Sequence, residues 1–118
     1  MFQLHKKLFI TGGYNNQTST AVDDHFSVSI QQEEEKLVPM LSSKCFHSMT
    51  GHNSIIITTG GKNSTSSLTG LKNVEKYEIL KRKWFKYPEM EHYRSKHSSC
   101  IANNTLFIFT AVDCSLIV

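Results

Sequence analysis

Residues 55–61 read Ile55-Ile56-Ile57-Thr58-Thr59-Gly60-Gly61. Five β-branched residues in a row favour a strand over a helix. Three consecutive isoleucines leave no polar face, so the strand they predict is covered on both sides. The two glycines that follow let the chain turn through backbone angles that a side chain opposes.

The pattern recurs in both directions. Upstream, Leu8-Phe9-Ile10-Thr11-Gly12-Gly13 places its glycine pair 48 residues before Gly60–Gly61. Downstream, LFIFTA at 106–111 repeats the strand but carries Thr110–Ala111 where the glycines stood. A second element shares the period. Lys44-Cys45-Phe46-His47 and Arg94-Ser95-Lys96-His97 are each a basic residue, two others and a histidine, with the histidines 50 residues apart. Met40 and Met90 precede them at the same spacing, beside Pro39 and Pro88. The middle of the unit is Val74-Glu75-Lys76-Tyr77 followed by Trp84. Its counterpart is the stretch 22–30, with Phe26 near the Tyr77 position and Glu33–Glu35 near that of Trp84.

Turn signals divide the rest. Asn and Gly at 51–53, and Asn103–Asn104, lie between apolar runs and predict hairpins. GGKNSTSSLTG at 60–70 is a loop, VEKYEIL alternates, Lys81–Arg82 turns the chain, and KWFKY returns. The repeating unit is therefore strand, hairpin, strand, double glycine, loop, strand, turn, strand. No stretch shows helical periodicity with caps.

Composition narrows the class. The 118 residues are 39% apolar and only 19% charged, the balance being rich in Ser, Thr and Asn. A coiled coil needs more charge, and no apolar run reaches the roughly 20 residues of a membrane helix. The net charge of +3 is local: eight Lys and Arg against four Glu fall between Lys72 and Lys96. These basic residues are scattered rather than massed on one face, which speaks against nucleic acid and for a solvated surface. Cys45, Cys100 and Cys114 show no C-x-x-C spacing and suit reduced thiols in the cytoplasm. The N-terminal stretch lacks the apolar core of a signal peptide, so the N-x-[ST] triplets at Asn16, Asn63 and Asn103 carry no weight.

The chemistry-bearing residues yield no catalytic set. His47 with His52, and His92 with His97, have spacings that suggest metal, but His47 and His97 recur with the repeat while the others do not. The recurring pair is expected to be structural, hydrogen-bonded to the backbone of a neighbouring sheet. Gly60-Gly61-Lys62-Asn63-Ser64 lacks the first glycine, the Ser/Thr and the helix of a phosphate loop. Cys45 with His47 and Cys100 with His97 lack a third orienting group. Glu33–Glu35 and Lys81–Lys83 read as solvated turns. No metal and no cofactor are expected.

A four-stranded repeat of about 50 residues matches the period of kelch repeats. The double glycines Gly12–Gly13 and Gly60–Gly61, the Tyr77–Trp84 pair, and the elements ending in His47 and in Arg94-x-x-His97 resemble that family's marks. The resemblance implies an all-β fold of antiparallel four-stranded propeller blades, here an incomplete β-propeller of about two to two and a half blades. Residues 1–42 would form a first repeat with a truncated first strand, 43–92 a complete one, and 93–118 the first half of a third. It also implies a non-catalytic protein-interaction module that meets an unidentified protein partner through blade loops. The contact loops would be 14–22 and 62–73, with Tyr14, Asn15, Asn16, Lys62, Asn63 and Lys72. Further blades from a longer chain or from self-association would complete the ring; nucleic acid and membrane are not expected partners. Two other readings stand beside it: a truncated chain without autonomous function, or part of a propeller enzyme similar to galactose oxidase or the sialic-acid epimerases.

Overall fold

The computed structural model describes residues 2–4, 7–64 and 70–109. These residues are all-β, without a helix and without a closed barrel. The first sheet comprises β1 (Phe2–Leu4), β2 (Lys7–Thr11), β5 (His25–Ser29) and β6 (Glu34–Lys36), in that order. Between β2 and β5 the chain forms a small ribbon of β3 (Tyr14–Asn15) and β4 (Thr20–Ala21). The second sheet is β7 (Ser48–His52), β8 (Ile55–Thr59), β9 (Val74–Glu78) and β10 (Lys83–Tyr87). A third sheet holds β11 (Ser98–Ala102) and β12 (Thr105–Phe109). All pairings are antiparallel.

Each large sheet is a sequential meander, and the first strands of successive sheets lie side by side. β7 contacts both β1 and β11, and the hydroxyls of Ser48 and Ser99 share a hydrogen bond of 2.5 Å across this inner seam. That is the arrangement of blades around an axis, here an open arc.

The isoleucine run behaves as its pattern predicts. Successive residues of a strand face opposite sides. Ile56 packs with Phe9, Met40, Tyr77 and Trp84 toward the first sheet. Ile57 packs with Val74, Met90 and Ile108 toward the third. β8 is thus buried on both faces, with Ile56, Thr58 and Thr59 fully covered.

Tyr77 and Trp84 face each other across the β9–β10 ladder, their ring centroids 5.1 Å apart. Both insert against the first sheet. There they meet His25, whose ring stands edge-on to Tyr77 at 4.5 Å and to Trp84 at 5.2 Å. Trp84 Nε1–H donates to the Val38 carbonyl at 3.0 Å, so its polar end is satisfied in the core. Beside them runs a buried ion pair, Lys44 Nζ to Glu75 Oε2 at 3.0 Å. Thr58 Oγ1, 3.2 Å from Lys44 Nζ, accepts a second bond. The Glu75 carboxylate also accepts from the Leu41 N–H at 2.9 Å and from the Ser42 hydroxyl. Burial pushes the Lys44 ammonium below its usual pKa while Glu75 opposes that shift.

Four local expectations need correction. Phe26 does not occupy the Tyr77 position. It pairs with Ile10, whereas the register equates Val28 with Tyr77 and Glu34 with Trp84. Aromatic character misled the sequence reading here, because register follows the ladder and not residue type. The first hairpin of the second sheet turns at Asn53–Ser54, leaving Gly51 and His52 in β7; Asn53 supplies the positive φ of 55°. Glu34 and Glu35 are strand residues on an exposed sheet edge rather than turn residues. The 14–22 loop contains a ribbon. Thr110–Ala111 and Cys114 lie outside the described residues.

Replacing Trp84 by alanine removes the ring and its hydrogen bond from the interface between sheets. The expected cost is about 3–5 kcal/mol, read as a drop in urea midpoint, whereas Tyr87→Ala on an exposed position should change it by less than about 1 kcal/mol.

Candidate functional site

The two glycine pairs sit where successive sheets are fastened together. Thr11 Oγ1 and His47 Nε2 share a hydrogen bond of 2.9 Å, and Thr59 Oγ1 and His97 Nε2 one of 2.8 Å. In each case the threonine ends the second strand of one sheet and the histidine leads into the first strand of the next. The backbone adds a parallel clasp: Gly13 N–H donates to the Lys44 carbonyl at 3.0 Å, and Gly61 N–H to the Arg94 carbonyl at 2.7 Å. The histidines are structural, but their partner is a side-chain hydroxyl and not backbone. That pairing corrects the sequence expectation; the threonine preceding each glycine pair was the overlooked signal.

The glycines are required for two reasons. Gly12 and Gly60 have φ of 66° and 59°, the left-handed region. A Cβ on Gly60 would also strike the Arg94 carbonyl oxygen and approach His97 Cε1 to 2.8 Å; on Gly12 it would meet the Lys44 carbonyl at 2.5 Å and His47 Cε1 at 2.6 Å. Gly13 has open space around it.

Burial fixes the charge state of this clasp. His47 is pushed down to about 4, first by burial and then by the positive charge of Lys44. His97 is lowered by burial and by Arg94, and His25 by burial, against the bond that its Nδ1 makes with the Val38 carbonyl at 2.9 Å. All three imidazoles are therefore neutral in the folded chain near pH 7. Cys45 is raised by burial, which keeps it a thiol and a poor nucleophile. Among the described residues there is no cluster of three or more His, Cys, Asp or Glu placed to hold a metal ion.

The loops named from sequence gather at this same end of the sheets. Ala21 N–H, in the β3–β4 ribbon that carries Tyr14, Asn15 and Asn16, donates to the Asn63 carbonyl at 3.1 Å. Asn15 serves the ribbon itself, its Oδ1 accepting from the N–H groups of Gln17 and Thr18. Lys62 exchanges backbone bonds with Cys45 at 2.7 and 2.8 Å. Lys72 places its Nζ 4.9 Å from the centroid of the Tyr93 ring. Gly60 and Gly61 are buried, as are Tyr77, Trp84, Arg94 and His97, and belong to the fastening rather than to the surface.

Two residues of this rim were missed. Phe46 and Lys96 hold the third place in the two basic-x-x-His elements, and both adopt left-handed backbone, with φ of 56° and 55°. For a residue with a side chain this conformation costs about 1–2 kcal/mol. They are neighbours: Lys96 N–H donates to the Phe46 carbonyl at 2.8 Å, and Lys96 Nζ lies 4.8 Å from the Phe46 ring centroid. Phe46 remains 40% exposed despite its size. Their recurrence 50 residues apart was visible in the sequence, but their unlike chemistry disguised it.

Comparison with known proteins agrees with this geometry. Residues 43–91 match the Kelch motif family model. The chain carries a kelch repeat. Kelch-like protein 25 of Xenopus laevis is 27% identical over 109 residues, covering 87% of this chain and 18% of the relative. Kelch-like protein 25 of Rattus norvegicus and of Mus musculus are each 26% identical over 109 residues, with the same coverage. The chain thus spans about a fifth of the length of the relatives it matches. The kelch match covers the whole second sheet, from Lys44 and the ion pair through Met90.

Substitution separates strain from clash. Gly60→Ala should lower stability by at least about 2 kcal/mol, since it meets both, and Gly13→Ala by less, in matched urea titrations.

The neutral histidines set the pH response. The unfolded chain binds protons on them below about 6.5 while folded His47 resists until about 4, so stability should fall as pH drops through that window. Chemical denaturation at pH 7.5, 6 and 5 checks this. The loss should approach about 1.4 kcal/mol per unit for each histidine held neutral, and His47→Asn should make the dependence shallower.

Proposed function

We propose that this chain is a non-catalytic protein-interaction module, and that its rim of turns holds an acidic segment of a partner protein. The observation that carries this is the Phe46–Lys96 pair. Backbone held in a costly conformation, with a large apolar ring and an ammonium left at the surface, is characteristic of contact sites rather than of packing. The surroundings favour negative charge: Lys62 and Lys72 lie on the same rim, and Tyr93, 60% exposed, supplies a second aromatic surface. Aromatic rings beside cations offer area and direction to a carboxylate-bearing partner. Turns held on a stiff sheet scaffold are where binding residues usually sit.

The kelch motif supports an interaction role in general terms, and the rim residues make it specific to one face. We take the repeats as 1–42, 43–92 and 93–118, so that the rim draws on turns from the first two and on the entry to the third. Cys45 and Cys100 are free thiols, in keeping with a reducing, cytoplasmic setting. No helix among the described residues is long and apolar enough to cross a membrane.

Peptide-display selection on the immobilised chain tests this reading. Selected peptides should be enriched in Asp and Glu, and the triple variant Lys62→Glu, Lys72→Glu, Lys96→Glu, with an unchanged circular dichroism spectrum, should bind them about tenfold or more weakly. Peptides without acidic bias, or binding that survives the triple change, would count against the rim.

A further inference from the structure

The third sheet lacks what makes the second one whole, and what it lacks has a definite shape. In the second sheet the basic residue Lys44 is buried completely and neutralised by Glu75, which arrives on β9, the strand paired to the outer edge of β8. Arg94 is the counterpart of Lys44. It is 7% exposed, yet it makes no ion pair and its Nε has no partner among the described residues. Its backbone is fully occupied, the N–H donating to the Leu71 carbonyl and the carbonyl accepting from Gly61. Only the side chain waits. β12, the counterpart of β8, pairs with β11 alone, so its other edge is open among those residues.

A third observation lies beside that edge. A cleft of about 440 Å³ opens between the second sheet and β12, lined by Val74, Tyr87, Pro88, Met90, Leu106 and Ile108. Five of these have counterparts one repeat earlier: His25, Leu37, Val38, Met40 and Ile56. Those residues surround or contact the rings of Tyr77 and Trp84, His25 by ring stacking, Val38 by accepting the indole N–H, and the others through the shared core. The cleft is therefore the same slot with its aromatic filling absent, and Tyr87 on its wall is 45% exposed.

We propose that the β12 edge, Arg94 and this cleft together form a docking site for a β-hairpin of another polypeptide, whose first strand carries the pattern apolar-Glu-x-aromatic of Val74–Tyr77. The carboxylate meets the Arg94 guanidinium, which offers a fork of donors to it. The strand backbone extends the β11–β12 sheet, and the aromatic side chain fills the cleft. Each part supplies something that the others do not: the edge gives hydrogen bonds, the cleft apolar area, and Arg94 the register. This surface is separate from the turn rim, and neither proposal depends on the other.

The probe is a fluorescein-labelled synthetic peptide of residues 73–88, NVEKYEILKRKWFKYP, titrated with the intact 118-residue chain by fluorescence anisotropy. Saturable one-to-one binding is expected. Glu75→Gln in the peptide should weaken it about tenfold, Arg94→Met in the chain by a similar factor, and the two changes together by little more than either alone. Arg94→Lys, which restores the residue type of position 44, should retain most of the affinity and guards against a folding defect in the methionine variant. Absence of binding overturns the proposal, as does binding indifferent to both charges. Asp113→Asn, which removes the one carboxylate in residues 110–118, should leave affinity unchanged or raise it slightly; a chain destabilised as much by that change as by Arg94→Met would have its partner in cis, and the proposal would fail. A dimer by light scattering that the peptide does not dissociate and Arg94→Met does not alter would assign the edge to a second copy and likewise overturn it.

Discussion

A four-stranded sheet with two apolar faces cannot stand alone in water, and everything in this chain follows from how each sheet is fastened to the next. The fastening is a threonine hydroxyl at the end of one sheet bound to a neutral histidine at the start of another, with a glycine N–H clasping a carbonyl three residues before that histidine. It works only at close approach. The glycines permit that approach, the methionines at 40 and 90 lie against them, and the histidines stay uncharged because nothing polar enough reaches them to favour the proton. Once the fastening is made, the faces of Ile56 and Ile57 are covered on opposite sides, and the aromatic pair on β9 and β10 closes the remaining gap.

The fold was legible because its strongest signals are repeated and local. Ile55–Gly61, the spacing of the glycine pairs, and the Tyr77–Trp84 separation depend on strand periodicity and turn chemistry, which a sequence displays directly. Register was less legible. Phe26 looks like the partner of Tyr77, but the ladder places Val28 there, and a shift of two residues is invisible without the opposing strand. His25 is the clearest case of a residue whose meaning is tertiary. Nothing near it in sequence announces that it will take the position of Val74 and stand edge-on to two rings from the next sheet.

The rim was legible in part. Lys62, Asn63 and Lys72 follow from where the glycines leave the strands. Phe46 and Lys96 did not, because their shared property is backbone conformation, and one is an aromatic while the other is a cation. Asn15 shows the opposite error: a polar loop residue that resembles a contact site is spent on its own turn. Side chains on loops must be tested for internal work before they are assigned to a partner.

The Ile55–Thr59 strand has one further consequence. Five uncharged β-branched residues in sequence are also well suited to stacking with copies of themselves in a cross-β fibre. Inside the fold this hazard is contained, since β7 and β9 occupy both edges of β8 and neighbouring sheets cover both faces. Containment is only as durable as β9, which holds one edge through its ladder and through Glu75. Conditions that peel β9 away release an adhesive segment rather than a merely unfolded one, so the solubility of the chain is tied to the integrity of a single interior strand.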